Sequence, residues 1–191
     1  MEPLARIMGS ATRLRLLRLF CFNDSSFSLD EMAFRTKSMK SAVRKEAALL
    51  LAAGFLERKP GKNQQAMFAA VRKTPLFNEL RQFLLATTTI DHAHISSLVR
   101  KAGAVKLLVL SGVFTNALES AVDILIVGDK LEERAIVSAV RMIEADLGRE
   151  LRYASFETSV FRYRLGVYDR LIRDVLDYPH EMLVNKLGID R

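Results

Sequence analysis

At Gly54 the spacing of apolar residues changes, and this switch constrains the N-terminal part of the chain more than any other feature. Before it, apolar residues recur at helical spacing; after it come two short strand-like runs. Ser10 opens a helix in which Leu14, Leu17, Phe20 and Cys21 line one side, with Arg15 and Arg18 expected to face away. Ser28-Leu29-Asp30-Glu31 has the form of a capping box and opens a short second helix. Thr36-Lys37-Ser38 reads as a turn, with Ser38 as a second cap. A third helix runs from about Met39 to Ala52, with Val43, Ala47 and Leu50 inward. Its other face carries Lys40, Ser41, Arg44, Lys45 and Ala48, and Gly54 supplies its left-handed stop. Phe55–Lys59 and Gln64–Ala69 then flank Pro60-Gly61-Lys62-Asn63, the pattern of a hairpin.

Charge divides the chain in a way that agrees with this. Of the net +7, residues 1–75 hold +8, from 14 Lys and Arg against 6 Asp and Glu; the remainder carries 15 against 16. The N-terminal part is therefore suited to a polyanion. A major groove admits one helix, and side chains near its N-terminus reach base edges. Lys40, Ser41, Arg44 and Lys45 occupy that end, while Arg58, Lys59, Lys62 and Asn63 sit at the hairpin, suited to phosphates or a minor groove.

Three segments carry a resemblance here: Gly9-Ser10-Ala11-Thr12-Arg13-Leu14-Arg15-Leu16-Leu17, Ser28-Leu29-Asp30-Glu31-Met32-Ala33, and Leu51-Ala52-Ala53-Gly54-Phe55-Leu56. Across residues 4–72 the chain resembles bacterial winged helix-turn-helix regulators of the ArsR-like kind. The resemblance implies double-stranded DNA as partner and a homodimer. Metal sensing by such regulators uses Cys or His/Asp pairs, and this segment has only Cys21 and no histidine.

Pro75 suits the first turn of a linker helix, with Leu76, Leu80, Phe83 and Leu84 at helical spacing to about Ala86. Leu4, Leu76, Phe77, Leu80 and Phe83 form the expected pairing surface, the C-terminal Phe161, Tyr163, Tyr168 and Leu171 being the other candidate. Thr87-Thr88-Thr89 marks a break. In Asp91-His92-Ala93-His94 the two histidines point about 200° apart on a helix and do not chelate together, so Asp91 reads as a cap.

The C-terminal part reads as a small sheet with helices. Val105–Leu110 and Val122–Val127 are strands, and Asp129-Lys130-Leu131-Glu132 reads as the cap of a helix through Ile136, Ala139, Ile143 and Leu147. A third strand is expected over about Glu150–Ser155, helices over about Thr158–Leu176, and a last strand at Met182–Val184. His180 reads as structural. The strand Val105–Leu110, the Ser111-Gly112 turn and Ser120–Gly128 resemble the minimal nucleotidyltransferases. The resemblance implies a nucleotide site at Ser111, Gly112 and Asp123. Active members carry Gly-Ser in the turn, Asp-x-Asp on the second strand and a third carboxylate, because two divalent ions must clamp the triphosphate. Here the turn is inverted, Ala121 stands where the first aspartate belongs, and Glu150 lies only at the edge of the third strand. The site is expected to be degenerate.

The sequence thus predicts an α+β chain: a winged helix-turn-helix domain over 1–74, linker helices over 75–103, and a nucleotidyltransferase-like α/β domain over 104–191, without catalysis, metal or cofactor. No run nears the ~20 apolar residues a membrane span needs, and the N-terminus lacks a secretion signal, so a cytoplasmic location is expected. The expected function is sequence-specific regulation of transcription, with a small molecule or protein as effector. Its alternatives are an active nucleotidyltransferase or antitoxin-like component, and a partner-binding scaffold.

Overall fold

The computed structural model describes residues 3–61, 65–87, 91–115, 117 and 119–189. It is a mixed α+β structure with two sheets. The chain divides into two compact units, one of residues 1–89 with 141–150 and one of residues 90–140 with 151–191. Among the described residues no helix is long and apolar enough to cross a membrane.

The first unit begins with α1 (Pro3–Ile7), α2 (Ala11–Phe22), β1 (Phe27–Ser28) and α3 (Leu29–Arg35). It continues with α4 (Lys40–Ala52), β2 (Leu56–Pro60), β3 (Ala66–Ala70) and α5 (Pro75–Thr87). Ser10 caps α2 by accepting from the Arg13 N–H. The capping box of α3 is complete: the Ser28 hydroxyl accepts from the Glu31 N–H, and the Glu31 carboxylate accepts from the Ser28 N–H at 2.7 Å. Gly54, at φ +71°, ends α4, with the Phe55 N–H donating to Leu50 O and the Gly54 N–H to Leu51 O. That pair of bonds is a Schellman stop, and the left-handed conformation it demands favours glycine.

The three strands form an antiparallel sheet in the order β1-β3-β2. The two-residue β1 was not visible in the sequence. The core gathers Leu14, Leu17, Phe20, Met32, Val43, Leu50, Phe55 and Phe77. Phe20 meets Phe27 edge-on, and Phe55 stacks on Phe77 at 6.0 Å.

Three expectations for this unit are corrected. Arg18 does not face solvent: it is 2% exposed, and its Nη1 donates to Asp146 O. Leu16 and Leu19 are buried as well, so α2 is covered on more than one side. Arg15 is half-buried, with its Nε and Nη2 donating to Asp146 Oδ1. Ser38 does not cap α4. Met39 holds that position without a side-chain bond, and the Ser38 hydroxyl donates instead to Thr36 O. The exposed apolar stripe expected to serve pairing is also narrower. Leu4 and Phe77 belong to the core, whereas Leu76 and Phe83 are exposed and Leu80 lies half-buried between them.

The second unit contains α6 (His92–Val99), β4 (Ala104–Leu110), β5 (Ile124–Asp129) and the start of α7 (Glu133–Leu147). The last turns of α7, from Arg141, count with the first unit. Then follow β6 (Tyr153–Glu157), α8 (Thr158–Gly166), α9 (Arg170–Asp177) and β7 (Glu181–Asn185). Asp91 caps α6, its carboxylate accepting from the His94 N–H. The sheet order is β6-β5-β4-β7, with β4 antiparallel to both β5 and β7 and β5 parallel to β6. A parallel pair needs a crossover connection, and the segment holding α7 supplies it. Leu107–Leu110 and Ile124–Val127 are fully buried, as continuous apolar runs in central strands should be.

Element starts differ from expectation at three places. β5 begins at Ile124, not Val122. Asp129 ends β5 instead of capping α7: its carboxylate is bound by Lys106, and Lys130 turns the chain at φ +52° before the helix starts at Glu133. β6 begins at Tyr153, after Arg152 has bonded to Asp123.

Candidate nucleic-acid interface and the Asp123 site

The inward face of α4 is Val43, Glu46, Ala47 and Leu50, all buried. Glu46 is tolerated there because Arg13 Nε donates to it at 2.8 Å. Ser41, Arg44, Lys45 and Ala48 recur at i, i+3, i+4 and i+7, so they share the opposite face, and all four are exposed. Lys40 is exposed at the first turn and reaches Asp30 Oδ1 at 2.5 Å. Among the described residues Arg44 and Lys45 make no ion pair.

On the edge strand β2, Arg58 and Lys59 are exposed, and Lys59 Nζ lies 3.2 Å from Glu57 Oε1. Lys62 and Asn63 lie outside the described residues. The described members of the predicted contact set therefore occupy one helix face and one hairpin strand of the same unit.

In the second unit the three residues assigned to a nucleotide site do converge. Ser111 is buried, and its N–H donates to Asp123 O. Gly112 follows at φ +55°, and a Cβ there would stand 2.0 Å from Asp123 Oδ1. Only glycine lets the turn close so near the carboxylate.

Asp123 is 1% exposed and its carboxylate is saturated. Oδ1 accepts from the Val113 N–H at 3.0 Å and from Arg152 Nη2 at 3.0 Å. Oδ2 accepts from the Arg152 N–H at 2.8 Å and from Arg152 Nε at 3.2 Å. Two oxygens offer about four lone-pair sites, and four donors fill them. Burial by itself raises the Asp123 carboxyl pKa. The hydrogen bonds from the Arg152 side chain and backbone and from Val113, with the Arg152 charge, outweigh it and hold the carboxyl below its usual range.

Metal ions do not fit this arrangement. Arg152 supplies the cation that a carboxylate at this place would otherwise bind, and residue 121 is alanine. Glu150, the remaining acid considered, pairs with Arg35 Nη2 at 2.7 Å in the first unit. No group of three His, Cys, Asp or Glu among the described residues is placed to hold a metal.

Other singled-out residues have partners of their own. His92 Nε2 lies 3.1 Å from Glu181 Oε2, and His180 Nδ1 lies 2.8 Å from Tyr178 O. Cys21 is buried, which pushes its thiol pKa up to about 11 against the opposing charges of Arg81 and Arg72.

Sequence reasoning missed Arg152. No motif marks it, since it meets Asp123 only through the parallel alignment of β5 and β6, where the Asp123 and Ile124 N–H groups both donate to Arg152 O. Comparison with protein-family models, with curated proteins and with solved structures gives no match.

Proposed function

We propose that the chain is a sequence-specific DNA-binding regulator of transcription. In this reading the first unit is a winged helix-turn-helix in which α3 and the turn after it set α4 into the major groove. The β2–β3 hairpin is the wing against the phosphate backbone. The observation that supports it most is the exposed face of α4, where Arg44 and Lys45 have no ion-pair partner among the described residues and the small Ser41 and Ala48 permit close approach.

The second unit, read as a nucleotidyltransferase-like domain, is without transfer activity. Its support is the Asp123–Arg152 pair, which removes the one retained aspartate from metal duty. Such a domain serves pairing or sensing. A homodimer on a two-fold operator fits one recognition helix per subunit, because a single module gives too few base contacts for tight binding at physiological salt. The exposed Leu76 and Phe83 on α5 favour that helix as the pairing surface.

Selection of bound duplexes from a random double-stranded library tests this reading. It should enrich one motif with pseudo-two-fold symmetry. Recovery of sequences indistinguishable from the starting pool would overturn it.

A further inference from the structure

The first unit holds a cavity of about 270 Å³ that the DNA-contact reading does not use. Helices α2 and α3 form one wall, with Arg15, Phe34 and Thr36; the stretch Arg141–Glu150 forms the other. Gly148 fixes how closely that stretch approaches. It sits at φ +75°, and a Cβ there would fall 2.5 Å from the Arg18 backbone.

The lining mixes arginines and glutamates, but most of these charges are already engaged. Arg15 is bound to Asp146 and to Thr36 O, and Arg35 to Glu150. Glu31 belongs to the α3 cap, and Glu144 has an interaction of its own. Arg141 and Arg149 differ. Among the described residues neither has a carboxylate partner, and each is held over an aromatic ring: Arg141 4.7 Å from the Phe34 centroid, Arg149 5.7 Å from that of Phe22. A guanidinium lying on a ring has its position set while its in-plane N–H groups stay free to meet an acid group. Phe34, 57% exposed, is an otherwise costly surface residue that serves as such a platform.

We infer that this cavity is a ligand site for a small organic dianion, one acid group meeting Arg141 and the other Arg149. Two preset cations on one cavity select two negative groups. The volume lies below the roughly 300–1,000 Å³ of sites for larger ligands, which favours a dicarboxylate or a phosphorylated acid over a nucleotide. The site also touches the turn that aims α4. Thr36 O accepts from Arg15 Nη1 and from the Ser38 hydroxyl, four residues before Lys40. A ligand on Arg141 and Arg149 therefore sits against Arg15 and Thr36, which also line the cavity, and so against the segment that orients the proposed DNA-contact face. That regulatory consequence rests on the proposed function; the ligand site itself does not.

Calorimetric titration of the full chain without DNA is the test, with succinate, phosphoglycolate and the neutral succinamide as probes. Saturable one-to-one binding is expected for at least one dianion and none for succinamide, and the tighter probe identifies the acid type. Arg141→Met and Arg149→Met should each weaken binding at least tenfold with unchanged circular dichroism, and Arg141→Lys should weaken it less than Arg141→Met. No binding of either dianion, or equal binding by the wild type and both methionine variants, would overturn the inference. A chain that binds a dianion but no DNA keeps the site and loses the regulatory reading; one that binds DNA and neither dianion loses the site alone.

Discussion

The guanidinium of Arg152 holds the buried carboxylate of Asp123 side-on, Nη2 3.0 Å from Oδ1 and Nε 3.2 Å from Oδ2. Replacing Arg152 by Met removes the guanidinium charge and two of the four donors from a carboxylate that is 1% exposed, leaving it the Val113 and residue-152 N–H groups. Breaking one partner of a buried pair costs about 3–5 kcal/mol, and the lower end applies because the Arg152 side chain is 50% exposed. Urea unfolding at pH 7 should show this loss.

The same pair sets a pH dependence. The Asp123 carboxyl pKa is lowered in the folded chain, so its stabilisation is complete above the unfolded value of roughly 3.9 and is lost as pH falls through the folded one. The stability gap between wild type and Asp123→Asn should therefore be full at pH 7 and narrow below about pH 4. Unfolding curves recorded from pH 3 to pH 7 check this.

Gly112 and Gly166 give a paired test of the turn. Gly112→Ala meets both a positive φ and the Asp123 carboxylate, so it should destabilise by more than about 1 kcal/mol. Gly166 ends α8 with no atom within 4 Å of an added Cβ. Gly166→Ala should be neutral or stabilise by up to about 1 kcal/mol. Thermal unfolding of the two variants separates the cases.

Much of this fold was legible because its signals are local. The Ser28–Glu31 box, the Ser10 and Asp91 caps and the Gly54 stop each act within a few residues of sequence, and all appear as read. The burial of Arg18 was not legible, since it depends on residues near Asp146, far along the chain. Arg152 escaped notice for the same reason, and β1 is two residues that become a strand only by pairing with Phe68 and Met67. The α4 face was readable from helical spacing. That Arg44 and Lys45 have no ion pair among the described residues, while Lys40 pairs with Asp30, needed coordinates.

Pairing through α5 predicts a dimer at micromolar concentration. Leu76 and Phe83 are 53% and 43% exposed and stand two turns apart on one face. Leu76→Arg with Phe83→Arg changes only exposed positions, so the fold should persist while sedimentation equilibrium reports a monomer. Retention of the dimer would move the interface elsewhere.

In the proposed function Arg58 and Lys59 on the hairpin meet phosphates. Replacing both by Ala should weaken all duplexes alike and reduce the slope of log affinity against log salt by about 2. Titrations at several salt concentrations, on the selected duplex and on an unrelated one, report it.

The proposal that α4 contacts DNA is tested most directly by anisotropy titration of the selected duplex with wild type and with Arg44→Ala/Lys45→Ala. Good base contacts are each worth about 1–3 kcal/mol. The double variant should bind at least tenfold more weakly and discriminate less against an unrelated duplex, with unchanged circular dichroism. Equal affinity and equal discrimination in the two proteins would contradict the assignment of α4 to the groove.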